Sequence, residues 1–269
     1  MLFRAKTGKL TLSGASMDYI RFGTGKKALI LLPGLGDGLR TVKSTALPMA
    51  VLYRKFAREY TVYAFSPREP LAAGMTTRDM AADQAEAMAL LGIDRADILG
   101  VSMGGMIAQW LAIDHPHRVG KLILTVTCAE QNPVLRESIR EWIDLAKAGD
   151  HPGFMDSNLR RIYSERYYRR NKWMTPLIGA LTKPKSYDRF FIQADACLTH
   201  DARAELGKIQ AQTLVIGGEK DLALGGEASK VLAQHIPGAE LKMYPQWGHG
   251  LYEEAKDFNG VLLEFLARA

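Results

Sequence analysis

The sequence predicts an α/β fold: a mostly parallel sheet with helices on both faces and one block of helices inserted between two strands. Three observations carry this expectation. Short apolar runs alternate with longer stretches of helical periodicity along most of the chain, the order that sets parallel strands side by side. One of these runs, within Ala96 to Ala108, ends in Gly100-Val101-Ser102-Met103-Gly104 and passes without a break into a helical pattern, so a serine stands at a strand-to-helix turn. Between Glu130 and Arg203 the alternation stops and only helical periodicity remains.

Taken in order, Lys9 to Ser13 and Ser16 to Phe22 read as two short strands joined by Gly14-Ala15, an antiparallel entry hairpin. Ala28 to Leu32 is a continuous apolar run and reads as a buried strand. It empties into Pro33-Gly34-Leu35-Gly36-Asp37-Gly38. Apolar and basic residues alternate at helical spacing from Pro48 to Arg58, and Tyr60 to Phe65 is the next strand. Thr76 and Thr77 can cap a helix over Arg78 to Leu91, with Met80, Ala81, Ala85, Met88 and Leu91 as its apolar positions. The strand and helix around Ser102 follow, then a strand from Lys121 to Val126. After the helical block, Thr213 to Ile216 and Glu240 to Tyr244 read as strands, with helices at Glu227 to His235 and Lys256 to Ala267. The chain thus divides into a core of residues 1–129 and 204–269 and a helical insertion of residues 130–203.

Composition excludes several classes. The 269 residues, 47% hydrophobic, suit one large globular domain. The start, Met1-Leu2-Phe3-Arg4-Ala5-Lys6, lacks the apolar stretch of a signal peptide. Runs such as Ala28 to Leu32 are far too short to cross a bilayer, so no membrane partner is expected. Cys128 and Cys197 offer neither a disulfide framework nor metal-ligand spacing, which points to the cytoplasm and to two small core thiols. The net charge of +6 is concentrated from Arg160 to Lys172, where five arginines and one lysine face the single acid Glu165. With the remainder nearly balanced, no nucleic-acid partner is expected. In that block Leu159, Ile162, Tyr163 and Tyr167 form one face of a helix, with Arg160, Arg161 and Arg169 opposite. The strip reads mainly as a solvated face, and Arg166, between Tyr163 and Tyr167, is the residue placed to reach a substrate.

A serine hydroxyl is a weak nucleophile until a neighbouring base takes its proton. Histidine suits that role because imidazole titrates near neutral pH, and an acid then fixes its tautomer. Ser102, Asp221 and His249 stand in that order, and Asp221 and His249 each follow a predicted strand, so all three emerge at the carboxyl edge of the sheet. Glu219 is the rival acid. Among the other histidines, His115, His117, His151 and His235 look like surface or capping residues, and His200, near the return from the insertion, is the rival base. The N–H of Met103, at the start of a helix, is a candidate oxyanion donor. The alternating Gly34, Gly36 and Gly38 suggest a nucleotide loop, but Leu39 stands where a third motif glycine is needed, and no Lys-Ser/Thr follows at phosphate-loop spacing.

Four pieces together, Leu32-Pro33-Gly34-Leu35-Gly36, Gly100-Val101-Ser102-Met103-Gly104, Gly217-Gly218-Glu219-Lys220-Asp221 and Gln246-Trp247-Gly248-His249-Gly250, resemble the α/β-hydrolase superfamily over essentially the whole chain. Residues 100–126 are particularly similar to the branch holding small carboxylesterases, enol-lactonases and carbon–carbon bond hydrolases, and the insertion resembles its cap, or lid. The resemblance implies the α/β-hydrolase fold and a serine hydrolase acting on an ester, lactone or related acyl compound, without metal or other cofactor. It also implies Leu35 as the second oxyanion donor. Pro33 departs from the commonest family pattern, which has a histidine there to organise the loop. A lid would wall the pocket with Leu159, Ile162, Tyr163, Arg166, Tyr167, Trp173 and Met174. The same three residues serve carbon–carbon bond hydrolases, thioesterases, peptidases and cofactor-free haloperoxidases, and some proteins of this fold are ligand receptors. Epoxide hydrolases and haloalkane dehalogenases of this fold would carry Asp in place of Ser102. A homo-oligomer is compatible with the sequence.

Overall fold

Eight strands form one sheet in the order β1-β2-β4-β3-β5-β6-β7-β8. β1 (Lys6–Leu12) and β2 (Ala15–Phe22) make the antiparallel entry hairpin, with Gly14 at φ 73° in its turn, a conformation that glycine adopts without a Cβ penalty. β3 (Lys27–Leu32), β4 (Tyr60–Phe65), β5 (Ala96–Val101), β6 (Val119–Thr125), β7 (Gln212–Gly218) and β8 (Glu240–Tyr244) are parallel to one another, so their carboxyl ends share one edge. This computed structural model describes residues 2–268.

Helices cover both faces, as the continuous apolar runs of β3 and β5 require. On one face α2 (Thr77–Leu90) and α3 (Met103–Asp114) bury Met80, Met88, Ile107 and Leu111 against Ile30, Ile98 and Leu122. On the other, α1 (Ala46–Leu52) and the closing helix pack Ala50, Phe258, Leu262 and Phe265 against Leu29, Leu99 and Ile216. α2 begins in a capping box: the Thr76 hydroxyl accepts from Asp79 N–H and the Asp79 carboxylate accepts from Thr76 N–H. The helix expected over Pro48 to Arg58 is shorter. α1 ends at Leu52 and a single tighter turn, Arg54–Phe56, follows, whose three-residue spacing turns both Tyr53 and Phe56 into the core.

Five helices lie between the adjacent strands β6 and β7: α4 (Pro133–Lys147), α5 (His151–Ile162), α6 (Glu165–Asn171), α7 (Thr175–Thr182) and α8 (Asp188–Leu198). An isolated bridge between Glu130 and Asp201 closes the two ends of this excursion. The single helix expected to carry Leu159, Ile162, Tyr163 and Tyr167 on one face does not form. Tyr163 is extended, at φ −100° and ψ 165°, and Ser164 starts a new helix by accepting from Tyr167 N–H. The break is imposed from outside: Gly250 N–H donates to Ile162 O at 2.6 Å, and the Glu254 carboxylate accepts from both Ser164 N–H and Ser164 Oγ. Three short elements complete the core, α9 (Ala228–His235), α10 (Leu251–Glu254) and α11 (Phe258–Ala267).

Candidate active site

Ser102 sits at φ 55° and ψ −120° between β5 and α3, a conformation that strains a non-glycine residue by about 1–3 kcal/mol. Its neighbours over-determine it. Ser102 N–H donates to Thr125 O at 2.9 Å, and Ser102 O accepts from Gly105 N–H at 2.8 Å and from Thr127 Oγ1 at 2.8 Å. The crossing of strand and helix is too close for side chains: a Cβ on Gly104 would lie 1.9 Å from Leu32 O, and one on Gly100 would lie 2.5 Å from Gly104 O.

Asp221 follows β7 and His249 follows β8, and both are buried. His249 Nδ1 lies 2.8 Å from Asp221 Oδ2, while Asp221 Oδ1 accepts from the N–H groups of Ala223 and Leu224 at 2.8 and 2.9 Å. A carboxylate held as an acceptor on all sides places the ring proton on Nδ1 and leaves Nε2 as the basic nitrogen. The rivals lie elsewhere. Glu219 is exposed. His200 is buried against Thr77, with Nδ1 2.9 Å from Thr77 Oγ1, and burial pushes its imidazole down to about 4, a neutral core residue.

Ser102 and His249 both open on a cavity of about 880 Å³. Its floor includes the turn after β3, where a Cβ on Gly34 would lie 3.4 Å from Ser102 Cβ and 3.9 Å from Ser102 Oγ. Leu35 opens the short helical turn that follows Gly34, and Met103 opens α3 directly after Ser102, so both amides belong to the first turns of helices, where N–H groups lack intrahelical partners. The loop's support, which Pro33 cannot supply, comes from Asp37. This carboxylate is fully enclosed and accepts from Ser66 Oγ at 2.5 Å, from Arg189 Nη2 at 2.6 Å and from Gln193 Nε2 at 3.4 Å. Arg189, on α8, also donates to Pro67 O and Arg68 O. Burial raises the Asp37 carboxyl above its ordinary range even against the pull of Arg189. Gly38 completes the junction, since a Cβ there would lie 2.8 Å from Phe190 Cα.

The insertion roofs the cavity with Trp142, Phe154, Asn158, Ile162, Tyr167 and Phe190. Of the wall residues expected from sequence, Ile162 and Tyr167 line it, whereas Leu159, Tyr163, Arg166, Trp173 and Met174 do not. Tyr163 instead stacks on Tyr167 at 4.3 Å and donates to Glu253, because the break after Ile162 rotates it out of the expected face. Arg166 and Trp173 are exposed. Three of the strip's other arginines are engaged: Arg160 and Arg161 bind Glu141, Arg161 also binds Glu137, and Arg169 binds Glu165. The charged side chains at the wall, absent from the sequence reading, are Arg40, Glu253 and Glu254 beside the paired Asp37. Burial raises the Glu253 carboxyl. Among the described residues no His, Cys, Asp and Glu cluster could hold a metal ion.

A parallel sheet of this order, a serine on a strained turn and a His–Asp pair at the neighbouring strand ends define a class. The chain belongs to the α/β-hydrolase-fold family, whose pattern matches residues 27–256. A 2-hydroxy-6-oxononadienedioate/2-hydroxy-6-oxononatrienedioate hydrolase of Pseudomonas putida is 26% identical over 276 aligned positions, covering 98% of this chain and 94% of that protein. The fold superposes on an α/β hydrolase from a Medee basin deep-sea metagenome with a TM-score of 0.84 at 23% identity, covering 97% of this chain and 98% of that one. It also superposes on the enol-lactonase from Burkholderia xenovorans LB400 with a TM-score of 0.81 at 23% identity, covering 97% and 100%.

Proposed function

We propose that this protein is a serine hydrolase that cleaves a carboxylic ester, lactone or related acyl compound through Ser102, His249 and Asp221. The observation that carries the reading is the 2.8 Å contact between His249 Nδ1 and Asp221, on a ring that opens on the same cavity as Ser102. His249 Nε2 takes the hydroxyl proton as Ser102 Oγ attacks the acyl carbon. The N–H groups of Met103 and Leu35 stabilise the oxyanion, where two preorganised donors outweigh solvent because they need no reorganisation. His249 then protonates the leaving group, and water activated by the same ring clears the acyl-enzyme. The insertion acts as a lid whose aromatic roof excludes water from the acyl group. With Glu253 and Glu254 at the wall against Arg40 alone, the cavity suits a neutral acyl compound better than the dianion named for the Pseudomonas putida relative. The buried free thiols Cys128 and Cys197 suit a reducing, cytoplasmic setting.

A fluorophosphonate probe tests the proposal. Intact mass should show one adduct, mapped to Ser102 and absent in Ser102→Ala, followed by turnover on a panel of esters, lactones and thioesters. Folded protein that takes no label would instead favour a ligand receptor.

A further inference from the structure

Helix α7 presents to solvent a face that a water-facing helix does not ordinarily carry. Trp173, just before it, is 73% exposed, and Leu177 and Leu181, each four residues on, are 62% and 71% exposed, with Ile178 alongside. That spacing sets one ridge on one side of the helix. On the other side Thr175 and Gly179 are buried, and Gly179 faces Pro152 of α5.

Cations flank the ridge on both sides in the chain. Residues 165–185 contain Arg166, Arg169, Arg170, Lys172, Lys183 and Lys185 against the single acid Glu165, a local charge of +5. Glu165 is taken by Arg169, while Arg166, Arg170, Lys172, Lys183 and Lys185 make no ion pair among the described residues. The ridge also adjoins the cavity. Arg40 Nη2 donates to Leu181 O at 3.0 Å, tying the end of α7 to the segment that leads into α1. α1 gives Pro48, Met49 and Leu52 to the cavity wall and turns Leu47 and Val51 to solvent.

We propose that this face docks on an anionic lipid bilayer, with the α7 ridge at the headgroup–acyl boundary and the surrounding arginines and lysines on the lipid phosphates. An apolar ridge flanked by long cationic side chains is the arrangement that lies in such an interface, with a tryptophan at headgroup level. A second copy of this chain is the poorer occupant, because it would set one segment of net charge +5 against another. This departs from the sequence expectation of no membrane partner, which rested on runs too short to cross a bilayer: the attachment is peripheral, and among the described residues no helix is long and apolar enough to cross a membrane. That acyl compounds dissolved in the bilayer would enter the cavity directly rests on the hydrolase reading; the docking does not.

Vesicle flotation separates the two, because it needs no turnover and can be run on Ser102→Ala as well. The full chain should float with phosphatidylcholine vesicles containing phosphatidylglycerol, not with phosphatidylcholine alone, and rising salt should release it. Docking should shift tryptophan emission to the blue, and Trp173→Phe should remove most of that shift. Leu177→Ser with Leu181→Ser, both at exposed positions, should abolish flotation with the fold intact. Arg170→Gln and Lys172→Gln should each weaken it about fivefold. Any of three results overturns the proposal: folded protein that ignores anionic vesicles, flotation that survives the double leucine change, or a dimer that Leu177→Ser disperses.

Discussion

Replacing Arg189 by methionine tests whether the loop beneath Ser102 is held by the insertion. The Arg189 side chain is 13% exposed and the Asp37 side chain fully buried, so the substitution would strand a carboxylate with only Ser66 and Gln193 as donors. Breaking a buried pair from one side costs about 3–5 kcal/mol, mostly as the penalty of the charge left behind. The second ion pair of Arg189 ends on Glu69, 55% exposed, and Glu69→Gln should cost no more than about 0.5 kcal/mol. Asp37 already has a raised pKa, so in the variant it would relieve itself by taking a proton. A carboxyl with a raised folded pKa loses stability as pH climbs above its unfolded value near 4, so the deficit should widen from acid towards neutral pH. Asp37→Asn combined with Arg189→Met should therefore lose less than the two single changes added, by about 1–3 kcal/mol. Urea unfolding followed by circular dichroism and tryptophan fluorescence measures all four variants. Turnover of Arg189→Met should fall through kcat more than KM, because the loop places Gly34 against Ser102. A loss below about 1 kcal/mol, additive with Asp37→Asn, would refute the anchor.

Asp221→Asn should keep the fold and lower kcat by on the order of 10³–10⁴, because the imidazole loses the partner that sets its tautomer, while Glu219→Gln should be silent. Gly104→Ala, whose Cβ would meet Leu32 O at 1.9 Å, should cost about 3 kcal/mol or prevent folding. Gly34→Ala, at 3.4 Å from Ser102 Cβ, should fold normally and lose activity, as a thermal melt beside an esterase assay would show. His200 is neutral in the fold down to about pH 4 and protonates in the unfolded chain near 6.5, so stability should fall by about 3 kcal/mol between those values as pH drops. Denaturation midpoints across that range should lose this slope in His200→Gln.

What depends on short range was legible in the chain alone. The apolar runs place the central strands, because a strand buried on both faces has no other composition available to it. Gly100 and Gly104 announce the turn at Ser102, because only glycine lets strand and helix cross at that distance. Asp221 and His249 were legible as candidates because each follows a strand, and parallel strands send their carboxyl ends to one edge. Helical periodicity in residues 130–203 was legible too, but not which residues face Ser102. That was decided by Gly250 and Glu254, about 90 positions away, which end one helix at Ile162 and start another at Ser164. Asp37 drew no notice among the loop glycines, because its partner Arg189 lies 152 positions on and no local pattern names a pairing across that distance. Periodicity reports which side of a helix is apolar; what lies opposite that side belongs to the packing of the whole chain.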